Sequence, residues 1–172
     1  TSPLHELSSL GQSVWIDYLS RDLVVGGGLL RAIREDAVVG VTSNPTIFQK
    51  ALSRGHAYDA QMRELLDGGA EAKDIFLQLA AADVLAACDV LRPVWTSTGG
   101  HDGFVSLEVD PNLAHDVQAT VEEATRLHEL IGRPNLLVKI PATPPGLEAV
   151  EKMIARGRSI NVTLIFALDR YR

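Results

Sequence analysis

The chain has 172 residues, 46% hydrophobic and 22% charged, which is ordinary soluble globular composition and a length suited to one domain. Its 16 basic and 22 acidic residues give a net charge of −6 with no Lys/Arg run, which argues against nucleic acid as a partner and leaves small anionic substrates open. A single cysteine, Cys88, excludes an intrachain disulfide framework and a multi-cysteine metal site. No apolar run approaches the ~18 residues needed to span a bilayer, so no membrane association is expected. The start, Thr1-Ser2-Pro3-Leu4, is unlike a secretory signal, and its lack of a methionine reads as processing or trimming. A cytoplasmic protein is the expectation.

Leu4 to Leu10 reads as a short amphipathic helix, and Ser13 to Leu19 as a strand carrying Asp17. Ser20 to Val25 then leads to Gly26-Gly27-Gly28, a flexible lead-in to a helix over Leu29 to Asp36. The triplet lacks the spacing of a nucleotide-binding fingerprint. Val38 to Thr42 is a second strand, broken at Ser43-Asn44-Pro45, with Pro45 suited to the first turn of a helix through Leu52. Helical pattern runs from His56 to Leu91 in two pieces on either side of Gly68-Gly69, and Cys88 falls in it as a small buried apolar residue. Trp95 to Asp102 reads as a loop.

Gly103 to Val109 is the third strand, and Asp110 reads as the cap of a helix from Asn112 to Ile131. The fourth strand is Leu136-Leu137-Val138-Lys139-Ile140, ending in the turn Pro141-Ala142-Thr143, and a helix follows from Gly146 to Arg156. Ser159 to Phe166 is the fifth strand. Ala167 to Arg172 starts another helix, with Arg170 and Arg172 read as surface residues. Strands alternating with helices argue a parallel α/β sheet, a single domain over residues 1–172.

Each strand delivers polar residues late in an apolar segment: Asp17, then Thr42 and Asn44, then Ser106, Glu108 and Asp110, then Lys139, then Asn161 and Thr163. Residues two apart on a strand share a face, so Ser106 goes with Glu108 and Asn161 with Thr163. Polar residues gathered at strand ends fit a barrel whose site lies at the C-terminal face of its strands. Lys139 is the sharpest signal. A charge in an apolar strand is costly unless used. Burial disfavours an ammonium, and the neutral amine that results attacks a carbonyl to give a Schiff base. The competing reading is a lysine on an edge strand with its ammonium in solvent. A Schiff base on a ketose permits cleavage of the adjacent carbon–carbon bond, and that step needs proton carriers, for which Asp17 and Glu108 are the candidates. Asp17 also reads as a helix cap or surface acid, Asn44 as a helix cap, and Asn161 and Thr163 as hydrogen-bonded core polars.

Gly40-Val41-Thr42-Ser43-Asn44-Pro45-Thr46-Ile47-Phe48 resembles the transaldolase signature around the second strand. Val105 to Pro111 is similar to that family's third-strand motif, Leu137 to Thr143 to its Schiff-base segment, and Ile160 to Phe166 to its fifth strand. Trp15 to Leu23 resembles the longer bacterial members in particular. The motifs recur in order over nearly the whole chain.

The resemblance implies a (β/α)8 TIM barrel of the class I aldolase type and transfer of a dihydroxyacetone unit between sugar phosphates. Sedoheptulose 7-phosphate or fructose 6-phosphate would be the donor, and glyceraldehyde 3-phosphate or erythrose 4-phosphate the acceptor, in the pentose phosphate pathway. By position, Lys139 would form the Schiff base and Asp17 would serve as acid/base for bond cleavage. Glu108 would act through a water that Thr163 helps hold, and Asn44 and Asn161 would bind donor hydroxyls, with Thr42 and Ser106 lining the same site. No metal or organic cofactor is implied. The departure is length: the barrel is expected to be truncated after the fifth strand, without the later strands that bring the phosphate-binding groups. A free Schiff-base aldolase that releases dihydroxyacetone, and a non-catalytic piece that needs the remainder of its barrel as a separate segment, are the rival expectations.

Overall fold

The computed structural model describes residues 2–53 and 56–172. The strands are β1 (Val14–Asp17), β2 (Val38–Thr42), β3 (Phe104–Glu108), β4 (Leu136–Pro141) and β5 (Ile160–Thr163). Their hydrogen-bonded order is β1-β2-β3-β4-β5, the order of the chain. Pairing is parallel between β1 and β2 and between β4 and β5. Helices alternate with the strands, so the expected β/α repeat of the barrel class is present. The chain divides into two compact units, Thr1–Val105 and Ser106–Arg172, with the division inside β3.

In the first unit, α1 (Pro3–Ser9) precedes β1 and buries none of its residues. The stretch after β1, assigned no element above, is a short helix, α2 (Arg21–Val25), capped by the Ser20 side chain accepting the Leu23 N–H. The cap is Ser20 and not Asp17, which removes capping as the role of that acid. Of the glycine triplet, Gly28 already belongs to α3 (Gly28–Asp36). Helix α4 (Pro45–Leu52) opens where Pro45 predicts, with Asn44 accepting the Ile47 N–H at 3.0 Å. Helix α5 (Asp59–Asp67) follows, and then α6 (Ala72–Ser97). The loop expected from Trp95 is therefore a correction: the helix runs two residues past Trp95, through Pro93. What holds that last turn is packing. Arg92 lies 4.9 Å over the Trp95 ring, and the backbone of Trp95 lies so close to Gly103 that a Cβ there would stand 2.3 Å from the Trp95 nitrogen. The inner residues of α6, Leu79, Val84, Ala87, Cys88 and Leu91, are at most 1% exposed. Cys88 is buried, as its surroundings imply.

In the second unit, the expected single helix from Asn112 is two elements. Asp110 caps a 3-10 turn (Pro111–Leu113), while Asp116 accepts the Ala119 N–H and caps α7 (Val117–Ile131). Two acids within seven residues offer two caps, and the periodicity of apolar residues cannot register the break between them. Helix α8 (Pro144–Ala155) and α9 (Leu168–Tyr171) complete the unit. Strand β5 ends earlier than expected because Leu164 takes a left-handed conformation, φ 63°. Arg170 is on the surface as expected, yet its guanidinium also donates to the Ala142 carbonyl at 2.6 Å.

Buried His128 on α7 has Nε2 3.2 Å from the Ser159 carbonyl and is read as donating to it. Burial holds this imidazole below its ordinary range and the positive Arg158 adds to that, against the opposing pull of the Ser159 bond. The folded state therefore keeps His128 neutral to lower pH than the unfolded chain does. Above about pH 6.5 both states are neutral and the group is silent; as pH falls below that, the unfolded chain takes the proton first and stability drops. Urea unfolding at pH 7.5 and pH 5.5 should show that loss, with a ceiling of about 1.4 kcal/mol per pH unit for one proton. His128→Gln, which keeps a donor for Ser159, should flatten the dependence.

Candidate active site

Strand β4 alternates: Val138 and Ile140 are fully buried, while Leu137 and Lys139 stand half-buried on the other face. Only the face of Val138 and Ile140 is closed. Lys139 Nζ lies 3.7 Å from Glu108 Oε2, with the two side chains 12% and 19% exposed. That contact puts Glu108 on the face of Lys139, and Ser106, two residues earlier on β3, shares it. Register pairs Lys139 with Asn161 and Pro141 with Thr163. Asn161 Nδ2 donates to Ser106 Oγ at 3.0 Å. Neighbouring strands lie ~4.8 Å apart, so β3 and β5 are about two spacings from one another. A direct hydrogen bond between their side chains requires the sheet to curl toward this face. Five of the predicted residues, Ser106, Glu108, Lys139, Asn161 and Thr163, therefore stand together on one concave face of the second unit.

The chemistry available there is specific. A lysine and a carboxylate in proximity supply a nucleophilic amine and a proton carrier. Thr163 Oγ1 is buried and makes no hydrogen bond, which leaves a hydroxyl to orient a water or a substrate oxygen. Asn161 spends one amide hydrogen on Ser106 and keeps its carbonyl oxygen and second hydrogen. Ser106 is completely buried, so its place is to hold Asn161 and not to face bulk solvent.

The other three predicted residues belong to the first unit. Asp17 is the last residue of β1, exposed, and pairs in register with Thr42. Thr42 Oγ1 is buried without a hydrogen bond. Asn44 is the cap of α4, so its side-chain oxygen is committed to Ile47 and its amide hydrogens remain for a ligand. One residue escaped the sequence reading. Trp15, two before Asp17 on the same face, pairs with Gly40, and its indole fills the space where a Cβ at Gly40 would stand, 2.2 Å away. The signal available in the sequence was the pairing of a strand tryptophan with a glycine in the next strand.

A family model described as transaldolase/fructose-6-phosphate aldolase matches residues 14–172. The chain belongs to this family. Among curated relatives, it is similar to a transaldolase of Mycobacterium ulcerans (strain Agy99), 53% identical over 98% of this chain and 45% of the relative. It is 52% identical to a transaldolase of Mycobacterium tuberculosis (strain ATCC 25618 / H37Rv) over the same shares. A Frankia alni transaldolase is 52% identical over 99% of this chain and 46% of its own length. The chain spans about half the length of the curated relatives it matches. Among the described residues no helix is long and apolar enough to cross a membrane.

Proposed function

We propose that the chain carries the Schiff-base half of a transaldolase site. The observation that supports this best is Lys139 beside Glu108 on the concave face, within the segment the family model matches. The amine of Lys139 adds to the ketone of fructose 6-phosphate or sedoheptulose 7-phosphate, and loss of water gives the iminium. Glu108, through a water held by Thr163, carries the protons of that dehydration. Asp17 takes the proton from the hydroxyl on the fourth carbon as the bond to the third carbon breaks. The aldose phosphate leaves, and the electron pair rests in the enamine on Lys139. Attack of that enamine on a second aldose phosphate, erythrose 4-phosphate or glyceraldehyde 3-phosphate, and hydrolysis complete the transfer. Asn44, Asn161, Thr42 and Ser106 keep the three-carbon unit in place. This is the chemistry of the pentose phosphate pathway, and it needs no cofactor.

A second reading, hydrolysis of the enamine to free dihydroxyacetone, is favoured by the family description, which joins transaldolases and fructose-6-phosphate aldolases. Because the relatives are about twice as long, turnover is proposed to require residues matching their remaining half, with phosphate-binding groups among them. In the catalytically complete protein, borohydride reduction with fructose 6-phosphate, followed by peptide mass analysis, should find a three-carbon adduct on Lys139. An adduct on Lys50, Lys73 or Lys152 instead would sink the assignment. Product analysis with and without an aldehyde acceptor separates transfer from hydrolysis, and activity with and without a complementing segment tests the half-site. Glu108→Gln should slow Schiff-base formation about 100-fold while leaving the unfolding midpoint near its original value, as expected for loss of one proton carrier.

A further inference from the structure

A second polar cluster, inside the first unit, takes no part in the steps above. Arg21 opens α2, only four positions after Asp17. Its backbone N–H donates to the Tyr58 hydroxyl at 2.8 Å, and that hydroxyl donates to Asp83 Oδ2 at 2.6 Å. Asp83 Oδ1 in turn accepts from Arg21 Nε at 2.8 Å, and the guanidinium lies 4.6 Å over the Tyr58 ring. The three residues close a ring that begins and ends on Arg21. Asp83 is 3% exposed and Tyr58 is 3% exposed. Burial, with the bond to Asp83, pushes the tyrosine hydroxyl up, so it stays protonated as the donor.

Such a ring contributes little net stability, because the desolvation of a buried ion pair offsets most of its attraction. Its worth is geometric: charge-assisted bonds in a buried network admit one arrangement. The span it controls is short. Between Asp17 and Arg21 stand Tyr18, Leu19 and Ser20, of which Leu19 is fully buried and Ser20 is 5% exposed. On the other side of Asp17, Trp15 is wedged over Gly40. The exposed carboxylate is thus suspended between two fixed points.

We propose that Arg21, Tyr58 and Asp83 are positioning residues for Asp17, tying the end of β1 to α6 so that the carboxylate meets the hydroxyl proton in the bond-cleavage step. This rests on the reading of Asp17 as the acid/base of that step. Tyr58→Phe removes the hydroxyl that joins the Arg21 backbone N–H to Asp83, and keeps the aromatic packing. In the catalytically complete protein, the variant should cleave the donor about 10-fold to 100-fold more slowly, the scale of a small misplacement of a reacting group. KM should be unchanged, and the six-carbon adduct on Lys139, trapped by borohydride before cleavage, should form at its original rate. With Asp17→Asn already present, Tyr58→Phe should cause no further loss of the residual cleavage. An unaltered cleavage rate in Tyr58→Phe overturns the proposal, as does the same fold-loss with and without Asp17, which would mark a general structural effect. Should Tyr58→Phe fail to fold, Arg21→Lys, which keeps the charge but loses the Nε donor, decides by the same readouts. Absence of any adduct on Lys139 in the unsubstituted protein would overturn the Schiff-base reading itself, a result distinct from either of those.

Discussion

Lys139→Ala is expected to abolish both the borohydride-trapped adduct and turnover, with a loss of about 10⁴-fold or more, as for removal of a covalent nucleophile. The other lysines cannot substitute. Lys50, Lys73 and Lys152 are exposed on α4, α6 and α8, and Lys152 is paired with Glu148 at 2.8 Å. Lys139 alone among the lysines stands on a strand, where the side chain is 12% exposed and a carboxylate lies within 3.7 Å. Lys139→Arg separates nucleophile from charge. It keeps a cation beside Glu108 and offers no amine, so it should be as inactive as Lys139→Ala while remaining nearer to the original stability. Activity surviving in Lys139→Arg would show that the cation, not the covalent bond, carries the reaction. The measurement is a coupled assay of aldose phosphate release, with adduct mass as the second readout.

A large effect on folding is expected at Gly103, where strained backbone and a backbone contact coincide. Its φ of 85° lies in the left-handed region, and an added Cβ would meet the Trp95 nitrogen at 2.3 Å and Cα at 2.7 Å. Those are backbone atoms, so no rotamer change relieves the contact. The same glycine donates its N–H to the Val39 carbonyl at 2.8 Å, just ahead of β3. Gly103→Ala should therefore cost about 3 kcal/mol or more, the conformational penalty plus displacement of one of two packed elements. Gly99→Ala is the control. Its φ is 64°, with nothing within 4 Å of the added carbon, and it should cost only about 1 kcal/mol. Denaturant midpoints of the two variants, compared with the parent, test the difference.

Much of the fold was legible because strands and helices leave different periods. The five strands, Pro45 at the start of α4 and the break at Gly68-Gly69 all follow from that contrast. What escaped were features that no period encodes. The short helix at Arg21 is held by a cap and by partners far along the chain. The last turn of α6 persists through Pro93 because Trp95 packs there. The break before Asp116 needed a choice between two acids. Within the candidate site, Lys139 and Glu108 were legible as charges in apolar strands, and their proximity agrees with that reading. The bond between Asn161 and Ser106 was not, since it joins residues 55 apart in sequence. Asp83 was hidden for a similar reason: it sits in an alanine-rich run that reads as packing surface, and its partner Arg21 is 62 residues away.

The strands are joined in the order in which they are synthesised. Each new strand therefore meets a neighbour already made, across two helices before β2 and three before β3, and loop closure never has to reach back over the whole chain. Domains generally fold from the N-terminus as a ribosome delivers the polypeptide, and this strand order suits that direction. The strand that bears Lys139 would emerge onto a template of its predecessors, and an uncommitted hydrophobic edge would be exposed only for the time it takes to translate the next step.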